Sequence, residues 1–226
     1  MAGKIKRRLV KNLRRTVWSL GPVTHKRKVD FIIAGTQKGG TTSLYEYVNL
    51  HPDICMSGVK ELHFFDAEKN FRTAPDYRKF HRYFRPKPHH RLLGEATPIY
   101  MYWPHAIERI HAYEPRMKLI LVLRDPAERA FSQWRMQVRT GIREVSSFRE
   151  SIQKELAALA ADPSFRSRTL SYVARGRYAR QIRSIHAYFP PEQVLVARSE
   201  DLLHTPQIVL DRICDFLGVD HMPVPG

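Results

Sequence analysis

Residues 31–48 read FIIAGTQKGGTTSLYEYV. A short apolar run meets two glycines, two threonines and a serine, and a helix-like pattern follows. That order of residue types builds an anion site. The backbone N–H groups of a tight turn converge, and the start of a helix adds partial positive charge. Gly39 and Gly40 let the backbone turn and approach a ligand closely. Thr41, Thr42 and Ser43 bring hydroxyl donors and N-cap chemistry. A single lysine, Lys38, stands before the glycines. Further along, the stretch GVKELHFFDAEKNF puts Lys60, Glu61, His63 and Asp66 within seven residues.

The loop almost meets the nucleoside-triphosphate pattern G-x-x-x-x-G-K-[ST] between Gly35 and Thr42. It fails where Thr41 occupies the lysine position. The lysine that grips β- and γ-phosphates beside magnesium is therefore missing. Nor does an apolar strand end directly in a metal-binding aspartate, because Arg124 precedes Asp125. Both departures weigh against a P-loop kinase or other phosphotransferase, and no metal ligand set is expected. An ordinary glycine turn before a helix is the bland alternative.

The segment GTQKGGTTSL resembles the 5′-phosphosulfate loop of sulfotransferases that use 3′-phosphoadenosine 5′-phosphosulfate (PAPS). In that family the early lysine contacts the oxygen bridging phosphorus and sulfur. The resemblance makes Lys38 a cofactor-binding and catalytic residue, with Gly39, Gly40, Thr41, Thr42 and Ser43 around the phosphosulfate. The family's second signature is an arginine at a strand end and a serine eight residues later, both on the 3′-phosphate. LILVLRDPAERAFSQW carries Arg124 and Ser132 at that spacing. An arginine fork matches phosphate oxygens and does not titrate.

The stretch from Lys60 to Asp66 resembles the KExHFFD segment of heparan-type glycosaminoglycan sulfotransferases, whose glutamate is the proposed base. Carried over, Glu61 takes the proton from an acceptor hydroxyl or amine. His63 assists in catalysis, and Lys60 and Asp66 contact or orient the acceptor. Such a base is needed because a neutral hydroxyl is a weak nucleophile. Phe64 and Phe65 read as core. GEATPIYMYWP resembles the family's EKTPxY segment, with Ala96 where heparan O-sulfotransferases carry lysine. Glu95 then reads as a second acid near the acceptor or as a partner of Arg124. The resemblance runs from Asp30 to about Val219, with Gly176 and Tyr178 ahead of a helix in its later part. Family members continue through a basic, glycine-containing loop over the 3′-phosphate. That the chain ends at Gly226 reads as a C-terminus supplied differently, a truncated domain, or weak cofactor binding.

These residues need a scaffold. DFIIAG, RLLGEATP, KLILVLRDP and QVLVAR read as strands. TTSLYEYVNLHP, APDYRKFHRYF, PHAIERIHAYEP, AERAFSQWRMQVRTG, SSFRESIQKELAALAAD, RQIRSIHAYFP and TPQIVLDRICDFLG read as helices, the last capped by Gly218. Alternating strands and helices predict an α/β fold: a P-loop-like three-layer αβα domain with a central parallel sheet.

The 226 residues, 43% of them hydrophobic, suit one such domain with something appended. The domain is expected over 30–226, after a basic extension over 1–29. Ten of the 38 Lys and Arg residues precede the first acidic residue, Asp30. The remaining 28 stand against 22 acidic residues, an excess that suits an anionic cofactor. In the extension Ile5, Leu9, Leu13, Val17 and Leu20 share a helical face, which predicts peripheral membrane contact through residues 4–20. A solvated tail or a helix packed on the domain is the plainer reading. No stretch has the apolar length of a membrane span, and the N-terminus lacks a signal peptide's apolar region. Cys55 and Cys214 form no metal- or redox-type pair, so a cytoplasmic location is expected.

The expected activity is transfer of a sulfuryl group from PAPS to a carbohydrate, glycolipid or small-molecule acceptor. No nucleic-acid partner is expected, since the basic arm has no aromatic platform or recognised motif. The alternatives are a nucleotide kinase and a catalytically weakened module that binds membrane or polyanion.

Overall fold

The computed structural model describes residues 16–18, 20–141 and 147–224. Five strands form one parallel sheet: β1 (Phe31–Gly35), β2 (Ile54–Met56), β3 (Leu92–Ala96), β4 (Lys118–Leu123) and β5 (Val194–Arg198). Their order across the sheet is β2-β3-β1-β4-β5. The helices are α1 (Thr41–Asn49), α2 (Arg78–His81), α3 (Ala106–Tyr113), α4 (Pro126–Thr140), α5 (Phe148–Ala161), α6 (Tyr178–His186), α7 (Ser199–His204) and α8 (Pro206–Leu217).

The apolar runs are continuous because a parallel strand is covered on both faces. Alternation then sorts each run into two cores. Phe31 and Ile33 of β1 and Ile120 and Val122 of β4 join Leu44 and Val48 of α1, Leu202 of α7 and Val209, Leu210 and Ile213 of α8. Ile32, Ala34, Leu119 and Leu121 join Ile107, Ile110 and Tyr113 of α3 and Ile185 of α6 on the opposite face. Phe64, Phe65, Phe80 and Tyr100 belong to that second core, with the Phe65 and Tyr100 rings 5.7 Å apart. The molecule is thus the three-layer α/β domain that the sequence pattern predicts.

Some elements differ from expectation. The helix read over 74–84 shortens to the four residues of α2. Tyr83 and Phe84 bond back three residues, to Phe80 and His81, and these tight turns bring Phe80 and Phe84 together into the core. β2 and α7 were not expected. β2 has three residues, too few for a periodic signal, and α7 follows β5 without a break. Of the N-terminal apolar face, Ile5, Leu9 and Leu13 lie outside the described residues. Trp18 packs on the domain, its ring only 2.1 Å from where a Cβ on Gly58 would stand. Arg85 lies 4.7 Å over the same ring, while Val17 and Leu20 are exposed.

Because all five strands run the same way, the loops after β1, β3 and β4 emerge at one edge of the sheet. The chain leaves β1 toward β2 and β3 on one side, then crosses to β4 on the other. β1 is therefore the switch point of the sheet, where open α/β folds form their ligand crevice.

Candidate active site

The loop after β1 is pinned before it turns. Thr36 N donates to Val122 O at 2.8 Å, and Gly39 N donates to Thr36 O at 3.0 Å. Gly39 is required here, since a Cβ would fall 2.4 Å from the Val122 carbonyl. Gly40 is the N-cap of α1, in a left-handed conformation with φ 94°. The expectation of hydroxyl N-capping is therefore corrected. No side chain caps α1; Thr41 is its first, buried residue, and Thr42 and Ser43 are exposed in its first turn. A glycine cap leaves the first N–H groups of the helix without a side-chain acceptor, a condition that favours an external anion.

Lys38 has φ 73° at the crest of this loop. Its ammonium makes no hydrogen bond or ion pair with the described residues. Partial burial pushes its pKa down from 10.5, the charges of Arg139 and Arg124 push the same way, and Glu61 opposes them. An anion seated among these cations reverses that balance.

A cavity of about 700 Å³ opens over the loop. Lys38, Gly40, Thr41, Thr42, Ser43, Lys60, Glu61, Arg124 and Ser132 all line it. An adjoining cavity of about 830 Å³ shares Lys38, Arg124, Glu128, Ser132 and Met136, and extends along α4 past Phe131, Trp134 and Arg139. The fold thus brings residues from 38 to 132 of the chain to one crevice.

Arg124 leaves β4 and points its fork at Glu128 Oε2, with Nε at 3.1 Å and Nη2 at 2.8 Å. The alternative pairing with Glu95 is thereby excluded. The Tyr178 hydroxyl donates to the Arg124 carbonyl at 2.9 Å. α4 begins at Pro126, with Asp125 accepting from Ala127 N and Glu128 N at 2.9 Å each. This cap fixes the direction of α4 and with it Ser132, half-buried on the cavity wall.

The segment 60–66 is tied to the end of β3. Glu61 N donates to Ala96 O at 2.9 Å, and Leu62 N donates to Glu95 Oε1 at 3.2 Å. Glu61 and His63 both have left-handed backbones, φ 63° and 55°. Such conformations are rare away from glycine and persist where surrounding contacts enforce them. Lys60 Nζ meets Glu61 Oε1 at 3.1 Å, and His63 Nε2 lies 3.8 Å from Glu61 Oε2. The side chains of Glu61 and His63 are about one-third exposed; Glu61 lines the cavity, and His63 stands beside it without lining it.

Two expectations for the acceptor site are corrected by burial. Asp66 has no exposed side-chain surface. It accepts from Arg168 at 2.5 Å and meets His63 Nδ1 at 2.9 Å. Burial pushes its pKa up, but the His63 hydrogen bond and the Arg168 contact outweigh that and hold it below the usual carboxylate value. Glu95 is fully buried, and its Oε1 accepts from Thr97 Oγ1 as well as from Leu62 N. Burial pushes its pKa up to about 8. Both carboxylates support the segment carrying Glu61 and His63; neither is open to an acceptor. Arg168, Arg175 and Gln37 were not singled out from sequence, and their partners lie too far along the chain for any local signal.

The fold and the crevice define an α/β domain with a glycine-turned loop and a cationic cavity at the sheet's switch point. The chain belongs to the sulfotransferase domain family, whose pattern it matches over residues 28–223. Human heparan sulfate glucosamine 3-O-sulfotransferase 3B1 is 33% identical over 189 residues, covering 83% of this chain and 45% of that protein. Human bifunctional heparan sulfate N-deacetylase/N-sulfotransferase 3 is 30% identical over 214 residues, covering 91% of this chain and 24% of that protein. The chain thus spans under half the length of these curated relatives. Among solved structures, a sulfotransferase from Alicyclobacillus acidocaldarius superposes with a TM-score of 0.78 at 33% identity, covering 89% of this chain and 85% of the other.

Proposed function

We propose that this chain transfers a sulfuryl group from PAPS to a hydroxyl of a carbohydrate acceptor. The observation that carries the reading is the convergence of Lys38, the glycine-capped start of α1, Arg124, Ser132 and Glu61 on one cavity. The residues fit the cofactor: a glycine-capped helix start and an unpaired ammonium suit a 5′-phosphosulfate, and an arginine fork suits a 3′-phosphate. When bound, PAPS supplies an activated sulfuryl group and a phosphate leaving group.

In this reading Gly40, Thr41, Thr42 and Ser43 cradle the phosphosulfate with N–H and hydroxyl donors, and Gly39, whose own N–H is taken by Thr36 O, lets the loop turn beneath it. Lys38 stabilises negative charge developing on the leaving phosphate. Arg124 exchanges its Glu128 partner for the 3′-phosphate, and Ser132 donates to the same group. Glu61 takes the acceptor proton at its exposed carboxylate. Lys60 holds that carboxylate at 3.1 Å from Oε1, with His63 beside it, 3.8 Å from Oε2. A carbohydrate acceptor is supported by the heparan sulfate relatives, which are named for sulfation of that sugar chain.

Incubation with ³⁵S-labelled PAPS and, in parallel, heparan sulfate, a neutral glycolipid and a phenol tests the acceptor class. Label on either sugar supports the proposal. Label on the phenol alone contradicts the carbohydrate part.

The reading includes a cytoplasmic chain that meets a membrane through residues 4–20. The exposed Val17 and Leu20 support it. Sedimentation with vesicles containing phosphatidylglycerol should retain the full chain and lose it when residues 4–15 are removed; equal retention of both contradicts membrane contact through this segment.

A further inference from the structure

Residues 162–177, between α5 and α6, contain no strand and a single short 3-10 turn, Ala174–Gly176. Irregular backbone packed inside a domain must find partners for its polar groups. Side chains supply them here. The buried Glu155 of α5 accepts from Tyr172 N and Val173 N at 2.6 Å and from Ala174 N at 2.9 Å. Gln137 of α4 donates to Thr169 O at 2.7 Å, and the Tyr102 hydroxyl donates to Ser171 Oγ at 2.7 Å. The segment is a fixed strap.

Two arginines of this strap reach the loop after β1 and the segment 60–66. Arg175, 2% exposed, donates to Gln37 Oε1 in the loop after β1. Its other terminal nitrogen donates to the carbonyls of Ser167 at 3.3 Å and Arg168 at 3.0 Å. Arg168 lies 4.1 Å over the Trp103 ring and donates to Asp66 Oδ2 at 2.5 Å and Asp66 O at 2.8 Å. Asp66 meets His63 Nδ1 at 2.9 Å. A continuous chain of contacts therefore runs from Gln37, beside Lys38, to His63, whose Nε2 lies 3.8 Å from Glu61 Oε2. No carboxylate pairs with Arg175 among the described residues. Burial, with the Arg129 charge adding to it, pushes its pKa down to about 10. Burying a guanidinium without a counter-ion is costly, and an apolar residue would fill the space more cheaply.

We infer that the strap holds the donor loop in register with the acceptor base, Arg175 through Gln37 and Arg168 through Asp66 and His63. Both arginines are positioning residues. The meaning of the two ends rests on the sulfotransferase reading, whereas the contacts themselves do not.

Two readouts that need no acceptor test this. One is the ¹⁵N-detected tautomer of the His63 ring. The other is the calorimetric Kd for 3′-phosphoadenosine 5′-phosphate (PAP). In the unaltered chain neutral His63 is expected to carry its proton on Nδ1, toward Asp66. Arg168→Gln should shift or broaden the His63 ring ¹⁵N signals, as Asp66 loses the donor that holds it, while PAP affinity stays within about twofold. Arg175→Lys should disturb the His63 tautomer and weaken PAP by about fivefold or more. If Arg175→Lys does not fold, Gln37→Met breaks the donor-side contact alone and should weaken PAP by a similar factor with His63 unchanged. His63 ring ¹⁵N signals unchanged in Arg168→Gln, or full PAP affinity in Arg175→Lys or Gln37→Met, overturns the strap. Failure of the unaltered chain to bind PAP contradicts the sulfotransferase reading instead, and the His63 tautomer still decides the strap.

Discussion

Leu62 N–H donates to the buried carboxylate of Glu95 at 3.2 Å, between two residues, Glu61 and His63, whose backbones are left-handed. A carboxylate at the end of β3 thus fixes the turn that presents the proposed base. Burial pushes Glu95 up to about 8 from 4.5, so the folded protein holds its proton at neutral pH while the unfolded chain releases it. The sign follows from proton linkage. The stabilising contribution is complete below the unfolded value of 4.5 and is lost as pH rises to about 8. Glu95→Gln has no such titration. Thermal unfolding should show the unaltered chain losing several degrees relative to Glu95→Gln between about pH 5 and about pH 8, then a constant gap. Parallel curves would contradict a buried, protonated Glu95.

The Lys38 ammonium makes no hydrogen bond or ion pair with the described residues. Lys38→Ala should therefore unfold at nearly the same temperature as the unaltered chain. Its turnover should fall by about 10²–10³-fold, as for loss of one group stabilising a developing anion. Turnover within tenfold of the original would remove Lys38 from that role.

Glu61→Gln keeps the shape of the side chain and removes its basicity. We expect kcat to fall by about 10²–10⁴-fold with PAP affinity within twofold. Equal losses in kcat and PAP affinity would mark Glu61 as a support of the crevice rather than a base.

Arg124 is the group assigned to the 3′-phosphate. In Arg124→Ala the preference for PAP over adenosine 5′-phosphate should drop by about tenfold or more, the scale of a charge-assisted hydrogen bond. Affinity for adenosine 5′-phosphate itself should hardly change. An unchanged preference would show that the 3′-phosphate is read elsewhere.

Much of this was legible in the sequence, and the limits have physical causes. β1 and β4 announce themselves because central parallel strands are apolar on both faces. The loop after β1 is legible because its glycines, hydroxyl residues and lysine are contiguous. Glu95 was misread because an apolar-run strand does not disclose how deep its end lies; only the sheet's neighbours decide that. Arg168 and Arg175 went unnoticed because their partners, Asp66 and Gln37, lie 102 and 138 residues away. Such contacts are set by topology. β2, with three residues, is too short for any period to show.

The most direct test of the central claim is calorimetric titration of the chain with PAP, beside ATP with magnesium. Saturable binding of PAP, and none of ATP at comparable concentration, is the predicted result. Binding of ATP in preference to PAP would contradict the assignment of Lys38 and Arg124 to a phosphosulfate donor and return the crevice to phosphoryl chemistry.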